Sequence, residues 1–155
     1  DLDTQLDKVR IQEFINNYQG EIEQEYPIYS SKTVDGVPLW KLAKAGRIQE
    51  VDIPKHKVNI YSFDFLDGYK KSGDELIFEV KERISKVSGD FRQKEITEQW
   101  TKLLKEGNEF SIYEFRVKVS SGTYIRQIAQ DFSKITSIPV LCYEIFREEV
   151  IMDNT

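Results

Sequence analysis

The stretch Ser-Ser-Gly-Thr-Tyr-Ile-Arg, residues 120–126, places a phenol and a guanidinium in the first turn of a predicted helix. Gly122 lets the backbone turn and leaves free N–H groups at the helix start, where anions bind well. Arg126 is unfavourable there on dipole grounds, because cations are stabilised at the C-terminal end of a helix. Arg126 therefore needs an anionic partner, either a functional carboxylate or phosphate, or the carboxylate of a structural salt bridge.

A second stretch, residues 29–46, combines a Tyr-Ser pair, Lys32, a tight turn at Asp35-Gly36 and a short basic helix that starts near Pro38. A hairpin followed by a helix without chemistry explains the same pattern. The basic residues in and after this stretch are interrupted by acidic ones, which is typical of a solvated face. They are Lys41, Lys44, Arg47, Lys55, His56 and Lys57, with Glu50 and Asp52 between them.

Other chemistry is excluded by what the sequence lacks. It has no glycine-rich phosphate loop and no Cys/His cluster, so we expect no metal and no cofactor. We expect His56 at the surface. The single Cys142 cannot form an intrachain disulfide, which fits a reducing compartment, so we expect a cytoplasmic protein. The formal net charge of −5 argues against nucleic-acid binding by bulk charge, and no apolar run is long enough to cross a membrane.

The order of the elements indicates an α+β fold with a mixed, mostly antiparallel sheet and flanking helices. Apolar spacing predicts helices over residues 5–18, 38–46, 72–87, 90–106 and 123–135, and strands over 57–66, 110–122 and 138–152. Ser72 and Glu75 have the spacing of a capping box, and Asp90 is the expected cap of the following helix. Because these two helices stand between two strands, they resemble an insertion over about 72–106.

Taken together and in this order, the two stretches resemble motifs of the TruB-type tRNA pseudouridine synthases. The first reads Tyr29-Ser30-Ser31-Lys32 with Gly36, Trp40 and Ala43-Lys44-Ala45-Gly46, and it is similar to the family's Tyr-Ser-Ala-x-Lys-x-x-Gly and Ala-Arg-x-Gly. Gln24 and Pro27 match the family pattern upstream. The second is similar to Ser-x-Gly-Thr-Tyr-Ile-Arg. Lys32 stands one position before the family's lysine, and Lys44 replaces its arginine.

The resemblance implies a role for each matched residue. Tyr124 would line the pocket for a flipped uridine, and Arg126 would pair with a nucleophilic aspartate. Ile145 would form the apolar floor under the base, and Arg147 would meet a phosphate or only solvent. The remaining substrate-binding residues would be Tyr29, Lys32 and Lys44.

The family's nucleophilic aspartate lies in a Gly-Gly-x-Leu-Asp-Pro motif that residues 1–155 do not contain. The resemblance therefore implies a partial catalytic domain over 1–155, whose partners are the tRNA T-arm and the N-terminal half of the same domain, with no membrane contact. The whole enzyme would convert the T-loop uridine at tRNA position 55 to pseudouridine without a cofactor, and this chain alone would be inactive. The alternatives are a non-catalytic RNA-binding protein of the same fold and a plain scaffold.

Overall fold

The computed structural model describes residues 8–89, 92–104 and 107–150. The chain divides into two compact units. Unit 1 contains Asp1–Asp64 and Val117–Thr155, and unit 2 contains Phe65–Arg116. The candidate site residues of the sequence all fall in unit 1.

A three-stranded sheet has the order β1-β4-β5, with β1 at Gly20–Glu25, β4 at Lys55–Ser72 and β5 at Glu109–Val119. β1 pairs antiparallel with β4, so that Gln24 lies opposite His56. The expected α+β fold with a mostly antiparallel sheet is confirmed. β4 is longer than the predicted strand over 57–66, and β5 ends three residues before the predicted 122.

Two helices of unit 1 enclose an aromatic core. In α1 (Lys8–Asn17), Phe14 is buried, and its ring stacks on Tyr18 at 4.7 Å between centroids. In α5 (Ile125–Thr136), Phe132 meets the same Phe14 ring edge-on at 4.8 Å. Phe63 of β4 also contacts Phe14 edge-on. The helix predicted over 5–18 forms from residue 8 onward, and residues 5–7 lie outside the described part of the chain.

A short hairpin follows the loop after β1. Its strands are β2 (Thr33–Val34) and β3 (Val37–Pro38), and α2 (Leu39–Lys44) begins directly after it. Asp35 and Gly36 both have positive φ, at 50° and 78°, which is the geometry of the two-residue turns that match strand twist. The predicted tight turn and short helix are therefore both present. A 3₁₀ turn at Ile48–Glu50 leads from α2 toward β4.

Unit 2 contains the helix pair α3 (Gly73–Ser85) and α4 (Gln93–Leu103), which pack against each other. The predicted capping box is confirmed, because the Ser72 side chain accepts from the Glu75 N–H and the Glu75 carboxylate accepts from the Ser72 N–H. α4 is preceded by Arg92 in a left-handed conformation. The predicted cap, Asp90, lies outside the described residues.

The prediction of a last strand over 138–152 is wrong for the residues that the structure describes. Residues 138–150 form no helix or strand. Apolar alternation describes a side-chain pattern, but a strand also requires a neighbour for its backbone. The Val140 N–H bonds instead to the Ser133 hydroxyl, and Leu141 and Phe146 are largely exposed. Residues 151 and 152 lie outside the described residues.

Candidate functional site

The side chain of Gln24 holds the backbone of Tyr124. Its Nε2 donates to the Tyr124 carbonyl oxygen at 3.2 Å, and the Tyr124 N–H donates to its Oε1 at 2.8 Å. Gln24 is fully buried, so water does not compete for these bonds. A residue of β1 therefore fixes the point at which α5 begins.

The turn between β5 and α5 is tied to β4. The Ser120 N–H donates to the Asn59 carbonyl at 2.8 Å, and the Asn59 N–H donates to the Ser120 hydroxyl at 2.9 Å. The Thr123 hydroxyl donates to the Ser120 carbonyl at 2.8 Å, which closes the turn. Gly122 adopts φ +82°, a conformation that favours glycine. The backbone turn that was predicted at this glycine is thus confirmed.

Three aromatic rings, those of Tyr26, His56 and Tyr124, form a cluster beside this turn, here called the aromatic cluster. Tyr26 and His56 stack at 4.2 Å between centroids, and Tyr124 meets both edge-on at 5.9 and 6.0 Å. The Nζ of Lys32 lies 5.0 Å from the centroid of the Tyr26 ring. His56 was expected at the surface, but it is only partly exposed, because the two tyrosines cover its ring.

Arg126 is the second residue of α5, and its side chain is exposed. Within the described ranges it makes no hydrogen bond and no ion pair, so the competing structural salt bridge is absent there. Cys142 is close enough to feel the charge of Arg126. Burial raises the pKa of the Cys142 thiol, and the positive charge of Arg126 partly opposes that rise. The structure thus presents a guanidinium at a helix start without an anion among the described residues.

A partly buried polar network is centred on Asp131 of the same helix, α5. The Tyr18 hydroxyl donates to Asp131, and the Gln127 amide donates to the other carboxylate oxygen of Asp131 at 2.9 Å. Burial raises the pKa of Tyr18 well above its ordinary value, Asp131 adds to the rise, and the Gln24 amide partly opposes it. Tyr18 therefore stays protonated and acts as a structural donor, which joins α1 to α5.

The residues of the first stretch that were predicted to bind substrate are Tyr29, Lys32 and Lys44. They lie on the loop and helix that precede β4. The Leu39 N–H donates to the Lys32 carbonyl at 2.8 Å, which ties this loop to the start of α2. Lys32 reaches the aromatic cluster through Tyr26. Tyr29 and Lys44 are exposed, and in the described part of the chain the side chain of neither forms a hydrogen bond or an ion pair.

Ile145 and Arg147 lie in the segment that follows α5, which has no regular structure. Ile145 is about half exposed, and Arg147 is exposed. No hydrogen bond or ring contact joins either residue to the aromatic cluster. The structure therefore links Lys32 to Tyr124 through the Tyr26 ring, and it places Arg126 two residues further along the chain. For Ile145 and Arg147 it shows no such link among the described residues.

Most of the basic residues near β4 are neutralised by carboxylates. Lys57 pairs with Glu21 at 2.7 Å, and Arg47 pairs with Glu50 at 2.8 Å. Lys55 lies within 4.0 Å of both Glu23 and Glu25. Lys41 instead stands over the exposed Trp40 ring, 5.5 Å from its centroid. The first stretch contains three lysines, Lys32, Lys41 and Lys44, and none of them forms an ion pair with a described residue.

Sequence reasoning missed the residues that support the site. Gln24 was noticed only as part of a family pattern, and Tyr18, Gln127 and Asp131 gave no signal beyond polar side chains beside apolar helical positions. Among the described residues, no group of His, Cys, Asp and Glu side chains is arranged to hold a metal ion. None of the helices described has the length and apolar character needed to cross a bilayer.

Comparisons with known proteins give the same family as the two motifs. The model of the TruB family pseudouridylate synthase, N-terminal domain, matches residues 2–86, which is more than half of the chain. A tRNA pseudouridine synthase B of Streptococcus sanguinis is 31% identical over 126 residues, covering 81% of this chain and 30% of the relative. The synthase B of Ligilactobacillus salivarius is 29% identical over 89% of this chain and 34% of its own length. That of Flavobacterium johnsoniae is 29% identical over 86% of this chain and 44% of its length.

The chain spans about a third of the length of the first two of these relatives and less than half of the third. The family match begins near the start of the chain and includes Gln24, the aromatic residues Tyr26 and His56, and Lys32. The alignments with the relatives extend over most of the chain. This chain belongs to the TruB family of pseudouridylate synthases.

Proposed function

We propose that this chain is part of a tRNA pseudouridine synthase that acts on a T-loop uridine. Tyr124 lines the pocket for the flipped base, and Arg126 pairs with an aspartate nucleophile that residues outside this sequence supply. The enzyme breaks the glycosidic bond of the uridine, rotates the base and rejoins it through carbon. The observation that carries this proposal is the exposed guanidinium of Arg126, which has no anionic partner among the described residues. It lies in the first turn of α5, whose start is fixed by Gln24.

Arg126 has the right chemistry for this task. A guanidinium beside a carboxylate favours its ionised form, which is the nucleophilic form. Its planar fork also orients the carboxylate through paired hydrogen bonds. Because Gln24 and the turn after β5 hold the start of α5, the guanidinium extends from a well-defined backbone position.

RNA binding in this proposal involves the loop before β2, α2 and the segment after α5. Tyr29, Lys32 and Lys44 contact the T-arm, where lysines meet phosphates and an exposed tyrosine stacks on an unpaired base. Ile145 supports the flipped base from below, and Arg147 meets a phosphate. The support for these last two roles is the family resemblance.

We also propose that residues 1–155 form part of a catalytic domain and that the helices α3 and α4 are an insertion within it. What supports this is their position in unit 2, between β4 and β5 along the chain.

The test is substitution of Arg126 in the protein encoded by the complete reading frame. Under the proposal, the nucleophilic aspartate buries Arg126 in the complete site, and Arg126→Ala removes one partner of that ion pair. Such a loss costs roughly 3–5 kcal/mol, so we expect single-turnover rates to fall by about 10²- to 10⁴-fold. Arg126→Lys should restore little, because an ammonium cannot reproduce the planar fork. The tRNA dissociation constant should change far less than the rate, since phosphate contacts lie elsewhere.

Arg47→Ala is the matched control, because Arg47 is an exposed arginine paired with Glu50 on the surface. Its rate should equal that of the unmodified protein. A near-normal rate in Arg126→Ala would exclude the catalytic assignment of this residue. Binding of tRNA without any pseudouridine formation by the unmodified protein would favour the alternative, a non-catalytic RNA-binding protein of this fold.

A further inference from the structure

We propose that His56 is a positioning residue for Tyr124 and Arg126, and that it acts by holding the carbonyl of Gly122. This inference rests on the proposed function, because its consequence is the rate of uridine isomerisation. His56 does not touch the reacting base in this proposal. It acts through the turn between β5 and α5.

The geometry specifies the tautomer of the ring. The Nε2 of His56 lies 3.1 Å from the carbonyl oxygen of Gly122. A carbonyl oxygen only accepts hydrogen bonds, so Nε2 must carry the hydrogen. In a neutral ring Nδ1 is then an acceptor without a hydrogen. That atom is buried and has no hydrogen-bond partner among the described residues, which suits an acceptor better than a donor.

Neighbouring rings hold the imidazole in this orientation. Tyr26 stacks on one face at 4.2 Å and 28°, and the ring of Tyr124 stands perpendicular to it at 89°. A planar side chain between two tyrosines has few rotamers open to it. His56 is therefore a rigid donor rather than a mobile surface side chain.

Two neighbouring strands hold the same short backbone segment. Gln24 of β1 binds Tyr124, and His56 of β4 binds Gly122. Gln24 and His56 are directly opposite each other in the antiparallel pair. Without the hydrogen bond from His56, the turn stays attached at Ser120, which bonds to Asn59, and at Tyr124, which bonds to Gln24. The Gly122 backbone between these two attachments then loses its own tie to β4 and can shift. A misplacement of about 1 Å at a reacting group costs up to about 10²-fold in rate.

The experiment compares three variants of the protein encoded by the complete reading frame. His56→Phe keeps a planar ring between the tyrosines but removes the donor, and we expect single-turnover rates to fall by about 10- to 100-fold. His56→Gln keeps an N–H donor and should recover most of the lost rate. Lys57→Ala, on the neighbouring residue of β4, is the control and should leave the rate unchanged, because Lys57 is exposed and paired with Glu21.

The tRNA dissociation constant should stay within about threefold in all variants, since His56 contacts neither phosphate nor base in this proposal. A role in packing alone predicts the opposite ranking, with normal rates in His56→Phe and lower rates in His56→Gln. That ranking would overturn the inference.

A nitrogen-15 NMR spectrum of histidine-labelled protein tests the contact without any activity. The His56 signal is the one that disappears in the His56→Gln variant. We expect it to show the Nε2–H tautomer. A Nδ1–H tautomer would overturn the inference even if the enzyme is active. If the unmodified protein makes no pseudouridine but shows the Nε2–H tautomer, the proposed function fails while the contact to Gly122 stands.

Discussion

At the scale of single residues, a buried amide carries the hydrogen bonds that fix the start of α5. Gln24 both donates to and accepts from the backbone of Tyr124, and a primary amide offers a donor and an acceptor at the same end of one side chain. Glutamate lacks the donor, and leucine lacks both groups. The identity of residue 24 is therefore tied to a backbone contact 100 residues away along the chain.

Gln24→Met tests this dependence. The variant keeps a similar side-chain volume but leaves the N–H of Tyr124 buried without its partner. The Tyr124 carbonyl also loses the hydrogen bond that it accepts from Gln24. Since an unsatisfied buried polar group costs about 1–3 kcal/mol, we expect the free energy of unfolding to fall by about 2 kcal/mol. Urea unfolding followed by circular dichroism measures it.

Gln49→Met is the matched control, because Gln49 also donates to a backbone carbonyl but is exposed. Its cost should stay within about 0.5 kcal/mol. Equal stabilities of the two variants would show that the Gln24 contact does not hold the start of α5.

At the scale of elements, the N-terminus of α3 depends on a local pair. Ser72→Ala removes the acceptor for the Glu75 N–H and should cost about 1 kcal/mol of unfolding free energy. Ser85→Ala, which removes an exposed hydroxyl near the other end of α3, is the control and should cost less. Thermal unfolding of the three proteins measures both effects. A smaller loss for Ser72→Ala than for Ser85→Ala would contradict the capping assignment.

The same cap gives a pH dependence with a definite sign. Hydrogen bonds from the Ser72 backbone and side chain hold the pKa of Glu75 below its ordinary value. A carboxyl whose pKa is lower in the folded state stabilises the fold above its unfolded pKa, and this stabilisation is lost as the pH falls through the folded pKa. The stability difference between Ser72→Ala and the unmodified protein should therefore shrink below about pH 4. Unfolding curves at neutral and acidic pH measure the change, and a difference that grows on acidification would contradict it.

What the sequence predicted correctly was mostly local. The capping box, the Asp35-Gly36 turn and the amphipathic α1 each depend on residues a few positions apart. β1 was missed because Ile22 is its one apolar side chain, so the strand has no apolar alternation to detect. Its glutamates are paired by Lys55 and Lys57 of β4. The strand expected over 138–152 is absent from the described residues there, since local alternation does not specify a pairing partner. The Gln24 and His56 contacts to the turn after β5 are long-range, and no local pattern predicts them.

At the scale of the whole molecule, the net charge is negative, which disfavours polyanion binding, but the local charge on one part of the chain is positive and favours it. The chain carries a formal net charge of −5, but its carboxylates are placed against specific lysines along β1 and β4. Three lysines that form no ion pair with a described residue, Lys32, Lys41 and Lys44, lie together in the sequence on the loop before β2 and on α2. Polyanion binding at this place should be local and weakened by salt, because phosphate contacts release counterions.

The last prediction concerns the 155-residue chain by itself. Residues 1–155 contain no Gly-Gly-x-Leu-Asp-Pro segment, and Arg126 has no anionic partner among the residues that the structure describes. Under the proposed function the chain alone therefore lacks the nucleophile, and we expect it to make no pseudouridine. It should still bind a T-arm stem-loop weakly, because Lys32, Lys41 and Lys44 form no ion pairs with described residues.

Carbodiimide mapping of an unmodified T-arm RNA, after incubation with the chain, measures the modification. The protein encoded by the complete reading frame is the positive control, and its Arg126→Ala variant is the negative one. Binding is followed by fluorescence anisotropy at low and physiological salt, and affinity should fall as salt rises. A stop at the T-loop uridine that depends on the 155-residue chain would mean that one of its own carboxylates is the nucleophile. Asp131 would not be the candidate, because Tyr18 and Gln127 already occupy both of its oxygens.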